Sequence, residues 1–224
     1  MCSRLQFTYS NDESVKRFNL AIGCEGKDLF TEESNRYDYH FYPVITNVMP
    51  DRIQEDYTWG LIPSWAENED IKSNTFHARV ETLDEKKSYR NILHQRCLVL
   101  ASGYFEWKHT IETPTEVVDL FGEAKPAKGK PKAITQKHII HSQEVEIFSL
   151  AGLWSHWINP LNGEIKKTFT IVTTDANVTM SKISKELRMP IMLRKDDEQR
   201  WLQGENHLNF AFPDYDNGLI AFPT

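Results

Sequence analysis

Segments with strand character outnumber helical ones in this chain, and the two do not alternate regularly. Glu146 to Leu153 and Lys167 to Thr174 are rich in Ile, Val, Phe and Thr, residues that suit a pleated, half-buried surface. Cys97 to Leu100 and Tyr104 to Trp107 read as two further strand pieces with a kink at Gly103. The expected class is therefore α+β, with a mainly antiparallel sheet curled on itself.

The helices are fewer. Asn11 and Asp12 cap a short one through Ser14 to Leu20, and Val80 to Leu93 has helical character with Ser88 as an internal boundary. Met180 to Leu187 reads as a short helix stopped before Pro190, and Lys195 to Leu202 as a clearer one, with Asp196 at its start and Gly204 past its end. Cys24 to Asp38 is polar and loop-like, and Pro43 to Pro50 reads as an extended edge. Trp59 to Ala66, WGLIPSWA, holds Gly and Pro inside an apolar stretch and reads as a shaped turn. Thr110 to Gln136 lacks a period and carries Lys125, Lys128, Lys130 and Lys132. It is expected to be an exposed insertion, at about 110–136, in a single domain spanning 1–224.

With 224 residues, 40% hydrophobic and 26% charged, the chain can bury one sizeable core. A net charge of −6 argues against nucleic-acid adhesion by the surface as a whole, so any such contact needs a local basic cleft. The three cysteines, Cys2, Cys24 and Cys97, have no Cys-x-x-Cys spacing and suit a reducing compartment. No basic-then-apolar signal opens the chain, and no apolar run approaches the ~20 residues of a membrane span. A cytoplasmic monomer, without a membrane partner, is expected.

Cys2 directly follows Met1, so methionine removal would expose a residue carrying both an α-amine and a thiol. These titrate near ~7.7–8.0 and ~8.5, and each is partly nucleophilic around neutral pH. Together they can condense with an aldehyde, first as a Schiff base and then as a five-membered thiazolidine. The same residue is equally an ordinary second position of a chain.

Five strings carry unusual residue choices: MCSR at 1–4, WGLIPSWA at 59–66, FHARVET at 76–82, ASGYFEW at 101–107 and LRMPIML at 187–193. In their order and number they resemble the SRAP family of abasic-site sensors, over nearly the whole chain from Cys2 to about Leu202. The resemblance implies a barrel-like β-rich core with flanking helices and a basic groove for single-stranded DNA. It further implies that an exposed Cys2 attacks the ring-opened aldehyde of an abasic deoxyribose and forms a thiazolidine crosslink.

The family motifs map onto named positions. Glu106 falls in the glycine-aromatic-aromatic-glutamate-tryptophan string, where it would move protons between the Cys2 amine, the carbinolamine oxygen and water. Taken alone, it reads as a strand-end glutamate in a surface salt bridge. His77 stands where the family has asparagine, and histidine can still donate and accept hydrogen bonds. The family histidine ahead of the arginine-methionine-proline string is missing: counting back from Arg188 puts Glu186 there, counting forward from Ile183 puts Ser184 there. His77 or Glu186 is expected to assume part of that acid role. Arg79 and Arg188 match the two phosphate-binding arginines, with Arg4 beside the nucleophile. Trp65 and Trp107 are candidates for stacking on a base or wedging beside the gap, whereas Trp59, Trp154 and Trp157 are assigned to the core.

His138 and His141 lack a third ligand of suitable spacing, so no metal is expected, and no nucleotide fingerprint implies a cofactor. Two other functions compete: an N-terminal-nucleophile amidohydrolase using Cys2, and a non-catalytic single-strand-binding module.

Overall fold

The computed structural model describes residues 2–20, 29–112, 117–118, 124–125, 131–212 and 218–224. Its elements run β1 (Arg4–Tyr9), α1 (Asn11–Phe18), β2 (Leu29–Asn35), β3 (Phe41–Thr46), β4 (Met49–Trp59), β5 (His77–Arg79), β6 (Arg96–Ala101) and β7 (Gly103–Glu112). They continue with β8 (Val117–Val118), β9 (Ala124–Lys125), β10 (Lys132–Ser142), β11 (Phe148–Ile158), β12 (Ile165–Asp175), α2 (Val178–Ser181), β13 (Arg188–Pro190), α3 (Lys195–Leu202) and β14 (Leu219–Pro223).

Five of the strands close on themselves. β11, β6, β3, β4 and β12 lie side by side in that order, and β11 pairs back onto β12, making a five-stranded barrel. Every contact is antiparallel except β4 with β12. Closure removes free edges and lets both partners of each pair bury their inward side chains. Gly152, on β11, leaves room for its neighbour on β6: a Cβ there would meet Cys97 Sγ at 2.7 Å. β5 and β13 attach to the far end of β12, the former parallel and the latter antiparallel.

A second antiparallel sheet, β14-β10-β7-β1-β2, leans on the barrel. The chain crosses from one to the other at Ser102, between β6 and β7. That corner is held by the Ser102 N–H donating to the Gln6 carbonyl (2.9 Å) and by the Ser102 hydroxyl accepting from the Thr8 N–H (3.0 Å).

Several elements depart from expectation. The first helix is capped by Ser10, not Asn11: Ser10 and Glu13 form a reciprocal capping box that satisfies two end donors. The polar run before Asp38 contains β2, paired to β1. β3 is a central barrel strand rather than an edge, and the register shifts between Tyr42 and Val44, so a bulge accommodates Pro43. Val80 to Leu93 forms a 3-10 turn, Val80–Thr82, and then successive turns instead of a helix. Leu83, Tyr89 and Ile92 still reach the core from these turns. α2 ends at Ser181, so the stretch to Leu187 is a turn. The strand run near Gly103, the Trp59–Ala66 turn and the bounds of α3 match expectation. Gly60 makes the turn possible, with φ +111° and the Lys72 carbonyl 2.9 Å from where a Cβ would stand.

Of the expected insertion, Thr110 to Glu112 prolong β7 and Lys132 to Gln136 belong to β10, with Lys132 opposite Glu112. The positions of Lys128 and Lys130 lie outside the described residues. No described helix is long and apolar enough to cross a membrane.

Candidate active site

The pairing of β1 with β7 decides what surrounds Cys2. Leu5 lies opposite Tyr104 and Arg4 opposite Phe105, so Tyr104 and Glu106 share one face of β7 while Phe105 and Trp107 share the other. The inward face is sealed: Cys2 and Leu5 are 0% exposed, Tyr104 1% and Glu106 2%. On the outward face the Arg4 guanidinium lies 5.3 Å over the Trp107 ring and the Lys137 ammonium 4.9 Å over Phe105. Glu33 on β2 pairs with both cations, Lys137 at 2.8 Å. Arg4 is thus tethered two residues after Cys2 rather than free.

Cys2 is buried, where an exposed residue was expected. Its Sγ donates to the Arg4 carbonyl at 3.5 Å, and burial pushes the thiol pKa up, the Glu106 carboxylate adding to the effect. At neutral pH it is a thiol, not a thiolate. Burial also raises the Glu106 pKa, and the charge of Glu186 raises it further. Among the predicted residues, Cys2, Glu106 and His77 converge, with Glu186 at the rim.

His77 opens β5 and is placed by that strand's parallel pairing with Ile171 on β12. Its imidazole packs edge-on against Trp59 at 5.4 Å and hydrogen-bonds the Cys2 backbone. The Tyr89 hydroxyl donates to its carbonyl at 3.2 Å. Burial, with the Arg36 charge nearby, lowers its pKa to about 3, so the ring is neutral near pH 7. Nε2 is buried without a hydrogen-bond partner. A neutral imidazole with one ring nitrogen on Cys2 and one unpaired has the hydrogen-bonding range of a carboxamide, but it is no cationic acid.

Arg188 does not sit as a free phosphate ligand. It is 5% exposed and gives both terminal nitrogens to Glu81 at 2.9 Å, with further bonds to Asp175 (2.6 Å) and the Thr173 carbonyl (2.8 Å). Arg79, two residues before Glu81, is exposed and makes no ion pair among the described residues. Trp65 is 41% exposed, with the Lys87 ammonium 3.9 Å over its ring, on the segment whose Tyr89 supports His77. Trp59, Trp154 and Trp157 are buried as expected.

Arg36 escaped the sequence reading because it lies in a polar run without a motif. Its N–H donates to the Ser3 carbonyl at 3.1 Å, and its guanidinium stacks on Tyr37 (4.8 Å) and Phe76 (4.9 Å). From there its charge opposes the raised Cys2 pKa and depresses that of His77. Among the described residues no group of three or more His, Cys, Asp or Glu is placed to hold a metal ion.

The family model described as SOS response associated peptidase (SRAP) matches residues 1–212. The chain belongs to the SRAP family. This SRAP protein is 30% identical over 228 residues to the abasic site processing protein YoqW of Bacillus subtilis (strain 168), covering 98% of this chain and 86% of that one. It is 31% identical over 158 residues to the abasic site processing protein HMCES of Xenopus tropicalis, covering 68% of this chain and 45% of the relative. A crystal structure of a protein from Bacteroides thetaiotaomicron superimposes with a TM-score of 0.79 at 26% identity, over 99% of this chain and 91% of the other.

Proposed function

We propose that this SRAP protein processes abasic sites in single-stranded DNA by forming a thiazolidine between Cys2 and the sugar aldehyde. The observation that carries the reading is the burial of Cys2 beside Glu106 and a neutral His77. With Met1 removed, the Cys2 amine adds to the aldehyde carbon and the carbinolamine loses water to give a Schiff base. The thiol then adds across the C=N bond, its proton leaving through Glu106 to the nitrogen, and the five-membered ring closes. A raised thiol pKa favours this order, because the amine and not a thiolate makes the first attack.

The acid that the family histidine would supply falls to the carboxylates. Glu106, whose pKa is raised, can hold a proton for the departing water, with Glu186 as its neighbour. His77 orients the Cys2 backbone. Arg79 is the phosphate contact, Arg188 positions its own turn through Glu81, and Trp65 and Trp107 offer stacking faces.

Incubation with an oligonucleotide bearing an abasic aldehyde, followed by a denaturing gel, tests the reading. Wild type is expected to give a covalent band that Cys2→Ala lacks. Salt-sensitive binding with no band in either protein would instead identify a non-covalent single-strand module.

A further inference from the structure

Leu187 is in the wrong conformation for a leucine. Its φ of +52° lies in the left-handed region, where a Cβ crowds the following carbonyl, and which asparagine or glycine occupies at far lower cost. The other described non-glycine residues with positive φ are Asn19 and Tyr39, each the C-cap of a helix or 3-10 turn. Packing does not explain the choice, because Leu187 is 58% exposed. Neither local propensity nor core burial favours leucine here, which points to a contact made outside the free protein.

The turn that holds it is fixed from both sides. Its N–H donates to the Ser184 carbonyl at 3.2 Å and its carbonyl accepts from the Ala176 N–H at 2.9 Å. Ser184 is bridged to Lys108, two residues beyond Glu106, so the turn lies across the strand that carries the buried carboxylate. The next residue, Arg188, is clamped by Glu81, Asp175 and Thr173. The side chain before it, Glu186, is close enough to act on Glu106. Leu187 is thus an aliphatic group on a rigid support at the rim of the site, among the charged Lys185, Glu186, Asp175 and Glu81.

We propose that Leu187 is a positioning residue that enters the gap left by the missing base, lying against the deoxyribose and the edge of the neighbouring base. An abasic nucleotide differs from every intact one by an empty space of base size between its neighbours, and an aliphatic side chain fills such a space without needing hydrogen-bond partners. The inference rests on the proposed abasic-site substrate.

The test uses an oligonucleotide with a stable tetrahydrofuran abasic analogue, which has no aldehyde, beside an unmodified one of the same sequence. Leu187→Asn is expected to melt at or above the wild-type temperature, because the strain is relieved. Its affinity for the analogue strand should fall about tenfold, as expected for loss of one well-buried aliphatic contact. Affinity for the unmodified strand should stay unchanged, and Leu187→Met should keep the wild-type preference. Unchanged affinity of Leu187→Asn for the analogue, or an equal loss on both strands, overturns the proposal. A wild type that crosslinks the aldehyde while Leu187→Asn behaves normally sinks this inference alone. A wild type that never crosslinks sinks the reading beneath it.

Discussion

Replacing His77 by asparagine changes how the fold responds to acid. The imidazole has a pKa of about 3 in the folded chain, against 6.5 for an unperturbed histidine. A depressed folded pKa means that the unfolded chain takes up the proton first. The stability this group contributes is therefore complete above about pH 6.5 and is lost as pH falls toward about 3. From about pH 7 to about pH 4.5 only the unfolded state gains this proton, over about two units at about 1.4 kcal/mol each, so wild type loses about 2–3 kcal/mol. Asparagine does not titrate, and His77→Asn should lose that much less over the same interval. Glu106 acts with the opposite sign: its raised pKa gives stability that is present at low pH and lost as pH rises, but both proteins carry it and it cancels. Urea denaturation of both proteins at the two pH values, with equal m-values, reads the difference directly. Equal losses would refute burial as the force that keeps His77 neutral.

Glu106→Gln should slow crosslinking by about 100-fold, measured by gel time courses; an unchanged rate would remove Glu106 from proton transfer. Arg188→Met should cost about 3 kcal/mol in thermal or urea unfolding, since it breaks a buried cation's bonds to Glu81, Asp175 and Thr173. Arg79→Ala, on an exposed side chain, should leave stability alone and reduce the salt slope of single-strand binding by about 0.7. Gly152→Ala forces a Cβ to within 2.7 Å of Cys97 Sγ and 3.0 Å of Val99 Cγ2 in the barrel wall. It should cost about 2–3 kcal/mol, read as a lowered unfolding midpoint.

The barrel strands β6, β11 and β12 were legible because each carries an apolar run rich in strand-favouring residues, whereas the polar β4 gave no such signal. Phe148 to Leu153 and Phe169 to Thr174 are buried throughout, and no local alternative competes with strand for them. Where two local signals compete, tertiary structure chose between them. Pro43 argued for an edge, yet a bulge lets β3 run through the barrel with proline in place. Val80 to Leu93 has helix-like spacing, yet turns deliver Leu83, Tyr89 and Ile92 to the core just as well. Arg188 shows the same blindness at the site. The string around it identifies the family position, but Glu81 lies 107 residues away in sequence, so the engagement of the guanidinium is invisible until the chain folds.

The charge states bring the site's residues into one sequence of events. Burial makes Cys2 a thiol, keeps His77 neutral and pushes Glu106 toward its protonated form. A pocket with this balance suits the neutral aldehyde of the proposed substrate. Glu186, one of the two positions that match the family histidine, shifts that balance in one direction. In the proposed reaction that negative charge raises the affinity of Glu106 for a proton, which keeps the acid loaded for the water that leaves the carbinolamine and, once that proton is given up, strengthens the carboxylate as the base for the thiol proton that ring closure releases. Both halves of the reaction should therefore slow in Glu186→Gln, Schiff-base formation read by borohydride trapping and ring closure by the yield of stable crosslink, and unchanged rates in both would refute the coupling.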